Sequence, residues 1–273
     1  MVGASDLRFS LGLEAVQLPG FLKKAQGSFL QAVWCECPLN PLLWTVDLER
    51  IRRLANRYDY VVVVDETIGS FANVDVLDIA DIVVTSLTKS FNGYADLLAE
   101  SVVLNPNSRY YTSLKTSLRD SYSNDLYVED AIQLELNSCD FIRRAAQLIS
   151  TVEYLADFLH PFASDPSSVV NAVHYPKIST LVQRYKTRMS QPTNDFTPSY
   201  GYVRKGPSLG GHVTLTQPYV QMVLQKQKKW TASHGLRQTI VQLSVGLEDK
   251  DDLLQRVKSA LAIAEKMKSG QVF

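Results

Sequence analysis

The sequence predicts an α/β fold with a mostly parallel sheet, and two features of its patterning carry that expectation. Four apolar runs, "QAVWCEC", "YVVVVDE", "DIVVTS" and "ESVVLNP", are short and rich in β-branched residues. Continuous runs of this kind read as strands of a sheet covered on both faces. Segments with helical spacing lie between or after them, and helical crossovers are what allow neighbouring strands to run parallel.

Taken in order, residues 31–37 form the first strand, ended by Pro38. In "TVDLERIRRLANRYD" the residues Leu48, Ile51, Leu54 and Ala55 recur at helical spacing, with Thr45 or Asp47 as N-cap. Strands follow at 60–66, 81–86 and 100–106, the last stopped by Asn105 and Pro106. Helices are expected near 108–120 and 126–160, the second long and amphipathic. Residues 168–174 and 239–245 read as further strands. Between them, 186–216 is polar, rich in Pro, Gly, Ser and Thr, and has little periodicity. The last element is a helix over 249–269, with Asp249, Asp251 and Asp252 at its N-terminus and lysines at its C-terminus, as the helix dipole favours. The division expected is a large domain over 1–155 and a reduced α+β domain over 156–273.

The formal net charge is zero over 273 residues, which argues against a sequence-independent grip on nucleic acid or anionic lipid. No apolar run approaches a membrane span, and the first residues lack the basic and apolar regions of a secretory signal. The expectation is a cytoplasmic protein that binds neither nucleic acid nor membrane. Its three cysteines, Cys35, Cys37 and Cys139, cannot all pair. Cys35 and Cys37 fall on one face of the first strand and read as reduced, buried thiols, and no metal site is expected.

In parallel α/β sheets, ligands bind beyond the carboxyl ends of the strands. Asp65 ends "VVVVD", Lys89 follows "DIVVTS", and Asn40 follows the first strand, so all three can meet at one edge. A lysine, a carboxylate and nearby hydroxyls can hold pyridoxal 5′-phosphate (PLP), with an amino acid as substrate. Helix caps and exposed charges at strand ends are the alternative, and spacing alone does not decide between them.

The segment "SLTKSFNGYADLLAESVVLNP" resembles the lysine segment of the Cys/Met-metabolism family of PLP-dependent transsulfuration enzymes, with Ser86, Thr88, Lys89, Asn92, Gly93 and Asp96 in the matching places. Upstream, "VWCECPLNPLLW" and "VVVVDETIGS" are similar to two further segments, most closely those of the fungal cystathionine γ-synthase-like branch. Downstream, "KGPSLGGHVTLTQP" and "LSVGLEDKDDLLQRVKSAL" complete the order, from about residue 30 to the C-terminus. The resemblance implies the large-domain fold of PLP fold type I (aspartate-aminotransferase-like). It implies Lys89 as the covalent attachment point for the cofactor and Asp65 as partner of its ring nitrogen. By the same resemblance Ser86 and Thr88 hold the phosphate, Asn40 contacts cofactor or substrate, and Ser208 and Gln242 lie on the substrate side. For Ser86 a turn-forming hydroxyl, and for Asn40 an Asn-Pro turn, are the competing readings.

Four departures accompany the match. The family's phosphate-binding turn and aromatic stacking residue precede the region where the resemblance begins, so a weakened phosphate site is expected. The arginine that the family places before Leu-Ser-Val-Gly is Gln242 here. Only Val203 to Gly206 span a gap where the family has further elements, and Glu100 stands where the family usually has Gly. The function implied is γ-replacement on an O-acylhomoserine-type amino acid. The alternatives are a Cγ lyase, or an impaired or interaction subunit of the family. A homo-oligomer or pairing with a related subunit is expected.

Overall fold

The computed structural model describes residues 32–190, 204–205 and 208–270. Its first sheet has four strands: β1 (Ala32–Glu36), β2 (Val61–Asp65), β3 (Ile82–Ser86) and β4 (Glu100–Leu104), in that spatial order. The first three run parallel and β4 is antiparallel to β3. Helix α1 (Leu48–Tyr58) makes the β1-to-β2 crossover. Asp47 caps it by accepting from the Arg50 N–H at 2.9 Å, and Asp59 ends it in the left-handed region. Leu48, Ile51 and Ala55 of α1 pack on Val33, Cys35, Val62 and Val64 and form the main core.

Cover on both faces holds for β2, whose Val62, Val63 and Val64 are buried. At the two edge strands the expectation needs correcting. Trp34 of β1 and Val102 and Val103 of β4 are exposed among the described residues. Cys35 and Cys37 do share the covered side, buried and unpaired, whereas Cys139 is exposed. Burial raises both buried thiols, Cys37 to about 12, so they stay protonated and unreactive.

After α2 (Tyr111–Ser121), the single long helix expected over 126–160 is two helices, α3 (Val128–Ser138) and α4 (Phe141–Leu159). The break has a physical cause. The Asn137 carbonyl accepts from the Arg144 side chain at 2.8 Å, and the Asp140 carboxylate is bound to Arg143 and Arg144. A backbone acceptor and an acidic residue are thus committed to a guanidinium at the junction.

Three short helices, α5 (Val182–Lys186), α6 (Tyr219–Met222) and α7 (Lys228–Ser233), accompany a second sheet of β5 (Arg204–Lys205), β6 (Leu215–Pro218) and β7 (Val241–Ser244). The expected strand at 168–174 does not form: the segment is irregular, and the Ser167 and Ser168 carbonyls accept from the Lys268 side chain instead of a ladder. The partner of β7 is β6, at the edge of a stretch too polar to read as a strand. Beside β6, buried Glu248 accepts from both the N–H and the hydroxyl of Thr214 at 2.6 Å. The closing helix α8 (Lys250–Lys268) starts on Asp249, which accepts from the Asp251 and Asp252 N–H groups. Leu253 and Leu254 of α8 join Leu155 of α4 in one core cluster. Of the short link from Val203 to Gly206, only Arg204 and Lys205 are described, as β5; Val203, Gly206 and the N-terminal segment lie outside the described residues. Among those described, no helix is long and apolar enough to cross a membrane, and no cluster is suited to a metal ion.

Candidate active site

Parallel register brings the carboxyl ends of β1, β2 and β3 to one edge. Glu36 pairs with Asp65, and Asp65 with Val84. A turn then follows β3, closed by the Lys89 N–H donating to the Ser86 carbonyl at 3.2 Å. Asp65 and Lys89 thereby line one cavity of about 320 Å³, together with Glu36, Asn40, Ser86, Ser208 and Gln242. That size falls at the low end of ligand pockets, about 300–1,000 Å³. The Asp65 carboxylate is steadied by the Thr67 N–H at 2.9 Å, and the Thr67 hydroxyl accepts from the Ser86 N–H.

The lysine turn is held from two sides. From α4, the buried Arg144 guanidinium donates to the carbonyls of Ser90 (2.8 Å), Phe91 (2.9 Å) and Asn137, and pairs with Asp140 at 2.7 Å. Gly93, at φ +81°, leaves the space Arg144 needs, which a Cβ would occupy. From the second sheet, Gly210 approaches so closely that a Cβ would lie 2.7 Å from the Ser90 Cα. Its N–H donates to the Ser244 hydroxyl at 2.9 Å. Gly210 also has φ +73°, so Gly210→Ala is expected to cost about 1–3 kcal/mol. Urea unfolding measures this, and an unchanged midpoint would mean that the two segments are not in contact.

Beside the charged edge runs a row of neutral groups. The Gln217 Nε2 donates to Gln242 Oε1 at 2.5 Å, Gln242 Nε2 to Asn40 Oδ1 at 2.8 Å, and Asn40 Nδ2 to the Tyr219 hydroxyl at 3.4 Å. The Asn40 N–H donates to the Glu36 carboxylate at 2.8 Å. Burial pushes the Glu36 carboxyl above the ordinary carboxylate range; the bond from Asn40 opposes this and the charge of Asp65 adds to it. Burial and the charge of Glu36 likewise raise the Tyr219 phenol.

Of the residues singled out from sequence, Lys89, Asp65, Ser86, Asn40, Ser208 and Gln242 all line the cavity. Thr88 is not among its lining residues. Its hydroxyl accepts from the Ala99 N–H at 2.9 Å and donates to the Ala99 carbonyl, tying the turn to the start of β4. Glu100 is exposed and does not crowd the site. Sequence reasoning does not reach Glu36, Gln217, Tyr219 or Arg144. Arg144 leaves a legible trace, a charge on the apolar face of α4 beside Phe141 and Ala145, which calls for buried partners.

The donor set fits PLP. Lys89 offers an amine, Asp65 a carboxylate for the ring nitrogen, and the Ser86 and Ser208 hydroxyls lie on the same lining. Comparison with known proteins agrees. The family description "Cys/Met metabolism PLP-dependent enzyme" matches residues 13–262, reaching further toward the N-terminus than the motifs alone. An alanine racemase of Aspergillus violaceofuscus is 40% identical over 89% of this chain, which spans 44% of that protein. Cystathionine gamma-synthase of Neurospora crassa is 38% identical over 86% of this chain, which spans 39% of it. The chain thus spans less than half the length of these two relatives. The solved structure of a cystathione gamma lyase from Micromonospora echinospora superposes with a TM-score of 0.73 at 27% identity, covering 88% of this chain and 66% of that one. By match, fold and site together, the chain belongs to the Cys/Met-metabolism family of PLP-dependent enzymes, alongside its fungal cystathionine γ-synthase-like members.

Proposed function

We propose that the chain carries the active site of a PLP-dependent enzyme that exchanges the Cγ substituent of an O-acylhomoserine-type amino acid for a thiol. The observation that supports this most is the placement of Lys89 and Asp65 at neighbouring strand ends on one cavity. Bound there, PLP would withdraw electrons from the substrate Cα. Asp65 would keep the ring nitrogen protonated, and the Lys89 amine would take and return protons at the substrate carbons. Ser86 is the phosphate contact in this reading, with Ser208 and Asn40 orienting the substrate. In the exchange, the Cγ–O bond breaks, a carboxylate leaves, and a Cγ–S bond forms with the incoming thiol.

Identity with an alanine racemase supports a second reading, racemisation of a small amino acid, since it needs the same Lys89 and cofactor. One assay separates these readings. The purified chain with PLP is given O-acetyl-L-homoserine with cysteine, O-acetyl-L-homoserine alone, and L-alanine, and the products are analysed by chiral chromatography and mass spectrometry. Cystathionine in the first mixture is the expected result. A 2-oxo acid with ammonia from the second would assign a Cγ lyase instead, and D-alanine from the third a racemase. Product that appears only when a longer family member is added would assign an interaction subunit.

A further inference from the structure

We propose that Glu36 is a positioning residue of this site: its carboxylate fixes the turn that carries Asn40, and through Asn40 it sets the polar wall that the second sheet turns toward the cavity. This rests on the PLP-enzyme reading, in which Asn40 orients the substrate, and deepens it by naming what holds Asn40.

The path of contacts is continuous. Glu36 ends β1 half-buried on the cavity lining, and its carboxylate accepts from the Asn40 N–H at 2.8 Å. The Asn40 side chain reaches across to the second sheet, accepting from Gln242 of β7 at 2.8 Å and donating to the Tyr219 hydroxyl at 3.4 Å. Gln242 is in turn bound to Gln217, its register partner on β6. Turning the amides end for end reverses donors and acceptors along this row but leaves the backbone bond to Glu36 in place.

A separate set of contacts holds the turn itself. Leu39 and Leu42, on either side of Asn40, pack with Val220 and Leu236 in one core cluster, and the Leu39 N–H donates to the Trp44 carbonyl at 2.8 Å. These contacts keep the turn against the second sheet without Glu36. What Glu36 adds is the direction in which Asn40 points. Removing its carboxylate also relieves the cost of burying a charge beside Asp65, so little net stability depends on it.

The hold is linked to a proton, because an ionised carboxylate accepts an N–H more strongly than a neutral carboxyl does. The titratable groups around Glu36 are Cys35 on β1, Asp65 on β2 and Tyr219 at the start of α6, with Lys89 on the same cavity. Burial raises the Glu36 carboxyl, the Asn40 bond opposes this, and the charge of Asp65 adds to it. As pH falls, the ionised form is therefore lost above the ordinary carboxylate range.

Two measurements on the full chain test this. In the isotope-labelled chain without cofactor, the Asn40 backbone amide resonance is followed from neutral to acid pH. It is expected to titrate with Glu36 and to lose that step in Glu36→Gln. The PLP-loaded chain is then titrated with L-norleucine, an amino acid with no leaving group at Cγ, following the visible absorption of the cofactor. Glu36→Ala is expected to bind at least about tenfold more weakly, with a urea midpoint close to that of the parent. Glu36→Gln keeps a side-chain carbonyl that accepts from the Asn40 N–H. It is expected to recover most of the affinity and to weaken less steeply than the parent as pH falls. Parent-like binding by Glu36→Ala, a loss of binding matched by an equal loss of stability, or an Asn40 amide that does not follow Glu36 overturns the proposal and leaves the PLP reading standing. A chain that takes up no PLP overturns the PLP reading, and this proposal with it.

Discussion

Arg144→Ala is expected to destabilise the fold by about 3–5 kcal/mol, the range for breaking a buried pair from one side. Arg144 is 2% exposed, and its guanidinium is the donor to the Ser90, Phe91 and Asn137 carbonyls and to Asp140. Alanine leaves those acceptors in a site with little water and opens a void behind the turn that carries Lys89. Urea unfolding should report the loss, with a fall in melting temperature on the order of 10 °C. Arg144→Lys keeps a charge but cannot span the separated acceptors, so it should recover only part of the stability. A variant as stable as the parent would mean that the turn is held by other contacts. Because Arg144 positions the turn and does not reach the cavity, PLP affinity should fall with the loss of the turn even at temperatures where the variant is folded.

Lys89→Ala is expected to abolish the visible absorption of PLP-treated protein and to lower turnover by at least about 10²–10⁴-fold, the contribution of a positioned proton-transfer group. Asp65→Ala should behave differently. It keeps the amine that binds the cofactor and loses the partner of the ring nitrogen, so some cofactor should remain with little turnover. The contrast follows from placement. Lys89 sits in the turn after β3, whereas Asp65 ends β2 and is fixed by the Thr67 N–H. Matching spectra and rates for Lys89→Ala and the parent would remove Lys89 from the chemistry.

Much of this site was legible because it depends on strand ends. β-Branched runs announce where β2 and β3 lie, and parallel register then places Asp65 and Lys89 at one edge. The helix caps Asp47 and Asp249 are equally local signals, and both act as caps in the structure. What was not legible depends on contacts between distant segments. Strand β6 has the polar sequence Leu-Thr-Gln-Pro and is held by pairing with β7, so propensity gives no warning of it. The reverse error, a strand at 168–174, came from apolar residues that find no ladder partner. The break between α3 and α4 arises from side-chain competition for the Asn137 carbonyl, which helical periodicity cannot register. Thr88 has a local partner that the motif does not announce. Its position matches the family pattern, yet its hydroxyl is engaged by the Ala99 backbone. Gln242 was visible as a departure from the family, but its amide partners Gln217 and Asn40 lie 25 and 202 residues away and appear only in the fold.

Borohydride reduction of the PLP-treated chain, followed by proteolysis and peptide mass mapping, tests most directly whether the strand-end lysine receives the cofactor. The expected result is one modified peptide, carrying the added cofactor mass on Lys89, and no such peptide from Lys89→Ala. Modification that falls on another lysine, or is spread over many surface lysines with Lys89 unmarked, would contradict the assignment of this cavity as the PLP site.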